Sequence, residues 1–194
     1  VKLYHALGVD PETGAYTFED YNGDGDINRA EDRQWIEDLA PKFYGGFGNS
    51  LSLGNLTMDV LFQFKKQKAY NTLRFDATPG YKGNTPAELY NRWEEPGDVK
   101  PIQRASGGLA GGEDLGSLQE DSNASISDAS FVRLRNISLT YKVPSMRPGL
   151  DMKVYLQGQN LWTLTNYEGP DPEQPSSTRL PPLRQITLGV QISF

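Results

Sequence analysis

Oxygen-bearing side chains recur at short, regular intervals in one stretch of the sequence. They are Asp20, Asn22, Asp24, Asp26, Asn28 and Glu31. Gly25 stands at the sixth position of this run, where a calcium loop makes its sharp turn. Ca²⁺ takes about six to eight oxygen ligands, which carboxylate, amide and carbonyl groups supply. The spacing therefore predicts that residues 20–31, the acidic loop, bind Ca²⁺.

The members of the acidic loop have different expected roles. The first three side chains converge on the ion, and Asp26 contributes its backbone carbonyl. Asn28 binds directly or through a water, and Glu31 closes the site with both carboxylate oxygens. These oxygens saturate the ion and leave no activated water, so the ion stiffens the loop and performs no reaction. The alternative is an acidic turn that binds no ion.

Catalytic groups are scarce in this sequence. It contains no cysteine, which excludes thiol catalysis, and His5 is its single histidine. Paired carboxylates can hydrolyse glycosides, but no acidic residue stands beside aromatic residues at a strand end. A hydrolase would need a carboxylate whose mutation abolishes activity, and the sequence points to no such residue. We therefore expect that the protein is not an enzyme.

Three residues are candidates for contact with a ligand or a partner. Trp93 lies between Arg92 and Glu94 and has a flat ring that could stack on a sugar. A tryptophan that anchors a loop would look the same in the sequence. Asn166 and Tyr167 lie in a stretch rich in Pro and Asp, where they could hydrogen-bond a ligand or serve as turn residues.

Apolar and polar residues alternate without a break over residues 184–194, and the alternation ends on Phe194. This pattern places all the apolar side chains on one face of a β-strand. Strands of soluble sheets are usually about five or six residues long, whereas a strand that crosses a membrane needs about 9–11. The segment is therefore predicted to be a transmembrane strand.

Similar patterns predict six strands, at residues 1–9, 43–53, 55–65, 131–143, 151–162 and 184–194. Long and short connections alternate, with the long ones at residues 10–42, 66–130 and 163–183. Outer-membrane barrels have long extracellular loops and short periplasmic turns. The order therefore predicts an all-β fold, an antiparallel transmembrane β-barrel segment with long extracellular loops.

A soluble alternative stays open. The alternating faces could pack the core of a sandwich, which would make the chain a calcium-stabilised all-β module that binds carbohydrate. The 25 acidic and 19 basic residues give a net charge of −6, which argues against a nucleic-acid partner. Because the chain opens in strand-like sequence at Val1, we expect it to be the C-terminal piece of a longer polypeptide or a mature fragment.

Several segments resemble, in order, the C-terminal region of the SusC/RagA family of TonB-dependent outer-membrane transporters from Bacteroidetes. They are GVDPETGAYTFEDYNGDGDIN (8–28), EDR (31–33), PKFYGGFGNSLS (41–52), RWEEPGD (92–98), SDASFVRLRNISLTY (127–141), VYLQGQNLWTLTNYEGPDPE (154–173) and LGVQISF (188–194). The resemblance covers nearly the whole chain. It implies the last six strands, roughly, of a barrel of about 22 strands.

The resemblance also implies a function and partners. The chain would form barrel wall and extracellular loops of a protein that imports glycan or peptide oligomers through the outer membrane. Import would be driven by TonB through a missing N-terminal part that includes the plug domain. A SusD-like surface lipoprotein would act as a lid. The apolar strand faces would contact outer-membrane lipid, and Phe194 resembles the C-terminal signal that the barrel-assembly machinery recognises.

Overall fold

The structure, a computed structural model, describes residues 1–75, 80, 87–106, 115–144, 149–176 and 179–194. The chain divides into two compact units. The loop unit comprises Val1–Ala40, Lys68–Asp128 and Tyr167–Arg179, and the sheet unit comprises Pro41–Gln67, Ala129–Asn166 and Leu180–Phe194.

The described residues form the following strands in chain order: β1 (Lys2–Leu3), β2 (Ala6–Val9), β3 (Tyr16–Phe18), β4 (Trp35–Ile36), β5 (Phe43–Leu53), β6 (Leu56–Lys66), β7 (Lys68–Tyr70), β8 (Ile126–Asp128), β9 (Phe131–Val143), β10 (Asp151–Thr165) and β11 (Gln185–Ser193). The described residues between β7 and β8 include two short α-helices, α1 (Thr72–Phe75) and α2 (Leu115–Glu120), and two 3₁₀ turns, Ala87–Asn91 and Asn123–Ser125.

Five long strands make one antiparallel sheet in the sheet unit, in the order β11-β10-β9-β6-β5. The β5–β6 hairpin turns at Gly54, whose φ of +59° suits a residue without a side chain. Alternation puts apolar residues on one face, here named the apolar face, and mostly polar residues on the other, named the polar face. The ladder aligns these residues across strands, as in the row Met58, Leu139, Leu156 and Leu188.

The ladder is interrupted at Arg135. In the pairing of β9 with β6, Leu61 pairs with Asn136 and Phe62 pairs with Leu134. Arg135 is therefore an extra residue of β9 without a partner position on β6. On the β10 side the register also shifts, between Gln159 and Trp162. An extra residue of this kind is a β-bulge, which bends a strand and redirects a side chain.

The loop unit contains the short strand pairs β1–β4, β2–β3 and β7–β8. Its interior combines apolar groups such as Leu3 with polar groups such as Asp32 and Ser122, which are fully buried. Backbone hydrogen bonds link distant segments, for example from Tyr4 N to the Asp121 carbonyl at 3.0 Å. The ring of His5 stacks on that of Trp35 at 4.3 Å.

The structure differs from the sequence prediction at residues 1–9. These residues do not join the five-stranded sheet but form β1 and β2, which pair with β4 and β3. The interruption lies at Tyr4, whose backbone N donates to the Asp121 carbonyl and whose carbonyl accepts from Asn123 N, so the chain there bonds to residues 121–123 instead of continuing one strand. The segment 66–130, predicted to be a long loop, contains several short elements. No helix among the described residues is long and apolar enough to cross a membrane.

Candidate functional site: the two sheet faces and the acidic loop

Large side chains on the apolar face are exposed. Among the described residues, the exposed fraction lies between 46 % and 74 % for Phe47, Leu51, Leu156, Ile186, Leu188 and Val190. Soluble monomers rarely expose apolar patches larger than a few hundred Å². The face therefore requires an apolar medium or a partner to cover it.

A shallow cavity of about 300 Å³ lies on this face. Its lining consists of Met58, Ile137, Leu139, Leu156, Gln157, Gly158, Leu161 and Ile186. A Cβ placed on Gly158 would come within 2.6 Å of Leu161 Cδ1, so Gly158 is required for the close packing of the neighbouring side chains. The cavity belongs to the apolar surface and offers little hydrogen bonding.

Hydrogen bonds connect side chains across the strands of the polar face. Ser138 Oγ donates to Asp59 Oδ2 at 3.1 Å, and Gln157 Nε2 donates to Asn136 Oδ1 at 3.3 Å. Arg133 is only 2 % exposed, and its Nε donates to Thr163 Oγ1 at 3.0 Å. These bonds satisfy several of the polar groups of this face within the sheet.

The bulge places Arg135 at the centre of a network that joins three strands and the segment before β11. Its Nε donates to the side-chain oxygen of Gln63 on β6, and its Nη1 donates to Asn160 Oδ1 on β10 at 3.1 Å. Asn160 Nδ2 in turn donates to the carbonyl of Leu183, just before β11, at 3.2 Å. Asn160 has a φ of +51°, which asparagine tolerates better than most residues. The bulge thus directs three side chains toward one another.

The two units carry opposite charge. The sheet unit contains nine of the 19 basic residues and only two of the 25 acidic ones, Asp59 and Asp151. The loop unit contains the other 23 acidic residues and ten basic ones. On the polar face, positive groups outnumber negative ones, with Lys65, Arg133, Lys142 and Lys153 against Asp59 and Asp151. The loop unit is strongly anionic.

The acidic loop is organised by its own backbone amides. Asp20 accepts hydrogen bonds from Gly23 N at 2.7 Å and from Gly25 N at 2.8 Å. The Gly25 bond is the larger cause of a pKa for Asp20 below its ordinary value, since it favours the ionised carboxylate. Asn22 Oδ1 and Asp24 Oδ1 accept from the amides two residues further along, at 3.1 Å and 2.9 Å. Asp26, in this same loop, is exposed.

A further carboxylate, which lies outside the calcium-loop spacing, closes this loop. Asp32 is fully buried and accepts from Tyr21 N at 2.8 Å and from Asn28 N at 2.9 Å. Glu31 is exposed and accepts from Asn28 Nδ2 at 2.8 Å. In the sequence, Asp32 is marked only by its position next to Glu31. The calcium-loop spacing places Glu31, and not Asp32, at the last ligand position.

The donor chemistry of the acidic loop is that of a calcium site, because every candidate group is an oxygen. Within the described ranges, however, no three acidic or histidine side chains converge so as to hold a metal ion. The oxygens of Asp20 and Asp24 are turned toward backbone amides instead. The arrangement itself does not form the site, and binding of Ca²⁺ stays a prediction.

Trp93 lies between two turns of the loop unit. Its Nε1 donates to the Pro11 carbonyl at 2.8 Å, and its backbone N donates to the Ile102 carbonyl at 2.8 Å. Its indole packs against Gly14. These contacts hold the segment around residue 93 against residues 11–14, and the ring remains half-buried.

The other two predicted contact residues occupy different environments. Tyr167 is buried, and its hydroxyl donates to the Tyr70 carbonyl. Asn166 is exposed. Contact of Asn166 and Tyr167 with a ligand therefore stays a prediction. Phe194 is fully exposed at the end of the chain, beyond β11.

A sheet of long antiparallel strands with one exposed apolar face and one cationic polar face defines a class, part of a membrane-type β-barrel. No protein-family model matches the chain. The chain is 30 % identical to TonB-dependent receptor P3 of Formosa agariphila over 97 % of its own length and 20 % of that receptor. It is 29 % identical to TonB-dependent receptor P26 of the same organism, over 95 % of the chain and 20 % of the relative.

Solved structures of the RagAB peptide importer share the fold. The chain matches the open-open and closed-closed states of this importer with a TM-score of 0.75 and 25 % sequence identity. Each match covers 99 % of this chain and 22 % of the importer chain. These findings confirm the resemblance to TonB-dependent transporters of SusC/RagA type and the prediction of a partial all-β barrel. The chain spans about one fifth of the length of the curated relatives it matches.

Proposed function

We propose that the chain forms part of the wall and outer loops of a TonB-dependent transporter that imports nutrient oligomers, glycan or peptide, across the outer membrane. The observation that carries this proposal is the exposed apolar face of the five-stranded sheet. Lipid hydrocarbon is the medium in which such a face is stable, while the polar face lines the barrel interior.

The strand lengths support a membrane span. The strands β5, β6, β9 and β10 contain 11, 11, 13 and 15 residues. A tilted strand needs about 9–11 residues to cross the hydrocarbon layer. In the soluble alternative, a calcium-stabilised carbohydrate-binding module, a second layer would have to cover Leu188 and Ile186, which are 73 % and 74 % exposed.

The complete transporter needs parts that lie outside these residues. A plug domain would couple it to TonB, a SusD-like lipoprotein would cover it from outside, and the barrel-assembly machinery would insert it, with Phe194 as the signal. Transport is the proposed role of the chain, and catalysis is not. The acidic loop contributes by stiffening an outer loop when it binds Ca²⁺, through Asp20, Asn22, Asp24, the Asp26 carbonyl, Asn28 and Glu31.

The experiment begins with extraction of the native protein from cell membranes, with and without detergent. We expect recovery only in detergent, together with a lipoprotein identified by mass spectrometry. A detergent-independent monomer without partners would overturn the proposal and favour the soluble module.

Uptake of fluorescent peptide and glycan oligomers by cells with and without the transporter gene then separates the two cargo classes. We expect one class to accumulate, and the accumulation to stop when TonB is deleted. Uptake that is unaffected by loss of either gene would contradict the transport role.

A further inference from the structure

Asn22 and Gly23 form the single Asn-Gly pair of the sequence, and the pair lies in the acidic loop. Both residues are exposed. Gly23 has a φ of +73°, and no atom lies within 4 Å of the position that a Cβ would occupy on it. Because residue 23 has no side chain, its backbone nitrogen can approach the side-chain amide of Asn22 without steric hindrance. The pair therefore combines a nitrogen nucleophile with an amide carbon, and a bond between them closes a five-membered ring.

Hydrogen bonds of the acidic loop polarise both reacting groups. Gly23 N donates to Asp20 Oδ1 at 2.7 Å, so a carboxylate attracts the hydrogen that the nitrogen must lose. Asp24 N donates to Asn22 Oδ1 at 3.1 Å, at the oxygen where negative charge develops when the nitrogen attacks. An amide N–H placed at such an oxygen stabilises that charge. Asn22 Nδ2 donates to Asp24 Oδ2 at 2.8 Å, which orients the amide. These contacts favour attack on the amide carbon.

Asn49 is a matched asparagine in a different environment. It is also exposed, but it is followed by Ser50 and lies inside β5, where it is the ladder partner of Val60. Closure of the five-membered ring requires a change of backbone torsion at the asparagine, which the extended, paired backbone of a strand opposes. The side chain of Ser50 also hinders the approach of its own nitrogen. Asn49 therefore serves as an internal reference for Asn22.

We propose that Asn22 is a site of spontaneous deamidation. The nitrogen of Gly23 forms a bond to Cγ of Asn22, its proton reaches the departing nitrogen through solvent, and the bond from Cγ to Nδ2 breaks with release of ammonia. A water molecule then opens the resulting five-membered imide. Opening at Cγ leaves an aspartate at position 22, and opening at the backbone carbonyl leaves an isoaspartate. In total a water is consumed and an ammonia is released, and no group is oxidised or reduced.

The two products change the acidic loop differently. Aspartate at position 22 adds a negative charge at the third position of the calcium-loop spacing. In isoaspartate the main chain passes through Cβ, so the backbone between Asp20 and Asp24 becomes longer by one atom. This displaces the amides that donate to Asp20 and to residue 22. Isoaspartate should therefore loosen the loop, whereas aspartate should leave it folded. The reaction requires neither transport nor bound Ca²⁺.

The test follows deamidation of the full-length protein by mass spectrometry, folded in isolated outer membranes and unfolded in denaturant at the same neutral pH. Peptides that contain Asn22 or Asn49 are monitored over time for the mass increase that accompanies conversion of an amide into an acid. In the folded protein we expect Asn22 to be converted about tenfold faster than Asn49 or more, which is a barrier difference of about 1.4 kcal/mol. Equal rates would overturn the proposal. Conversion of Asn22 in the unfolded protein alone would also overturn it, because the loop would then protect the pair.

Two variants identify the reacting groups. Gly23→Ala places a methyl group beside the attacking nitrogen and should slow conversion at residue 22 by about tenfold or more. Asn22→Gln retains an amide but needs a six-membered ring, so labelling by an isoaspartate methyltransferase should occur at position 22 of the wild type and not of this variant. Unchanged conversion in Gly23→Ala would refute attack by that nitrogen. The comparison of Asn22 with Asn49 uses the unchanged protein, so it decides the proposal even where a variant fails to fold.

Discussion

The indole of Trp93 lies so close to Gly14 that a Cβ placed on that glycine would be 2.4 Å from the indole Cδ2. Gly14 also has a φ of +69°, which disfavours any side chain. Its carbonyl accepts from Arg104 N at 2.7 Å, and Trp93 itself donates to Pro11. This contact therefore joins the turn at residues 10–14 to the segment 93–104.

The variant Gly14→Ala should weaken this junction. The positive φ costs about 1–2 kcal/mol for a residue with a Cβ, and overpacking against the indole adds about 1–3 kcal/mol. We expect faster hydrogen exchange at residues 10–16 and 92–104. The matched control is Gly97→Ala, because Gly97 has a φ of +95° but no atoms within 4 Å of its Cβ position. Equal effects of the two changes would show that the indole contact is unimportant.

Addition of Ca²⁺ should protect the acidic loop. Binding would fix residues 20–31, so hydrogen exchange and proteolysis there should slow in Ca²⁺ and recover in a chelator. Asp24→Asn, which removes a charged oxygen, should reduce the protection, while Asp38→Asn, an exposed residue outside the loop, should not. Identical exchange with and without Ca²⁺ would contradict the calcium prediction.

Alkaline pH should destabilise the loop unit through Tyr167. Burial, and secondarily the charge of Asp171, raises the pKa of Tyr167 to about 12. A tyrosine in an unfolded chain has a pKa of about 10, so its stabilising effect is complete below that pH and is lost as the pH rises toward 12. Tyr167→Phe should lower stability by about 1 kcal/mol at neutral pH, because the hydrogen bond to the Tyr70 carbonyl is lost.

The same variant should then lose less stability between about pH 10 and pH 12 than the wild type. Thermal unfolding at a series of pH values, followed by tryptophan fluorescence, measures both effects. Parallel stability curves for the two proteins would show that Tyr167 does not titrate with folding.

Loss of the Arg135 guanidinium should loosen the sheet at the bulge. Hydrogen bonds to charged groups contribute about 1.5–3 kcal/mol each, and Arg135 donates to both Gln63 and Asn160. We expect Arg135→Leu to lower the denaturant midpoint of the assembled barrel. Arg184→Leu, which changes an exposed arginine before β11, is the control. A larger effect at Arg184 would refute the role assigned to the network.

The long strands could be predicted because one face of the sheet is apolar and the other is mostly polar, which gives each strand an alternating sequence. Residues 43–53 and 131–143 were placed where β5 and β9 are found, since period-two alternation there is nearly complete. The bulge is visible in the sequence at one point. Leu134 and Ile137 lie on the same face but are three positions apart, whereas a regular strand requires an even spacing. The hydrogen-bond partners of Arg135 left no such trace, since they come from two other strands, β6 and β10.

The loop unit could not be predicted in the same way. Its buried groups are largely polar, and they are held by backbone hydrogen bonds between distant segments. Asp32, for example, resembles any surface aspartate until its two amide donors are known. Trp93 likewise had two interpretations, and only the contacts with Pro11 and Gly14 show how it is anchored.

The pairing of β7 with β8 has an evolutionary consequence. Lys68–Tyr70 and Ile126–Asp128 hold the two ends of an intervening segment side by side, at the spacing of neighbouring strands. Within the sheet, Ala129 N separately donates to the Gln67 carbonyl at 3.0 Å. Because β7 and β8 pair on either side of them, residues 71–125 can be lengthened, shortened or replaced without altering the register of β6 and β9. Such changes in the intervening segment leave the pairing of the neighbouring long strands as it is.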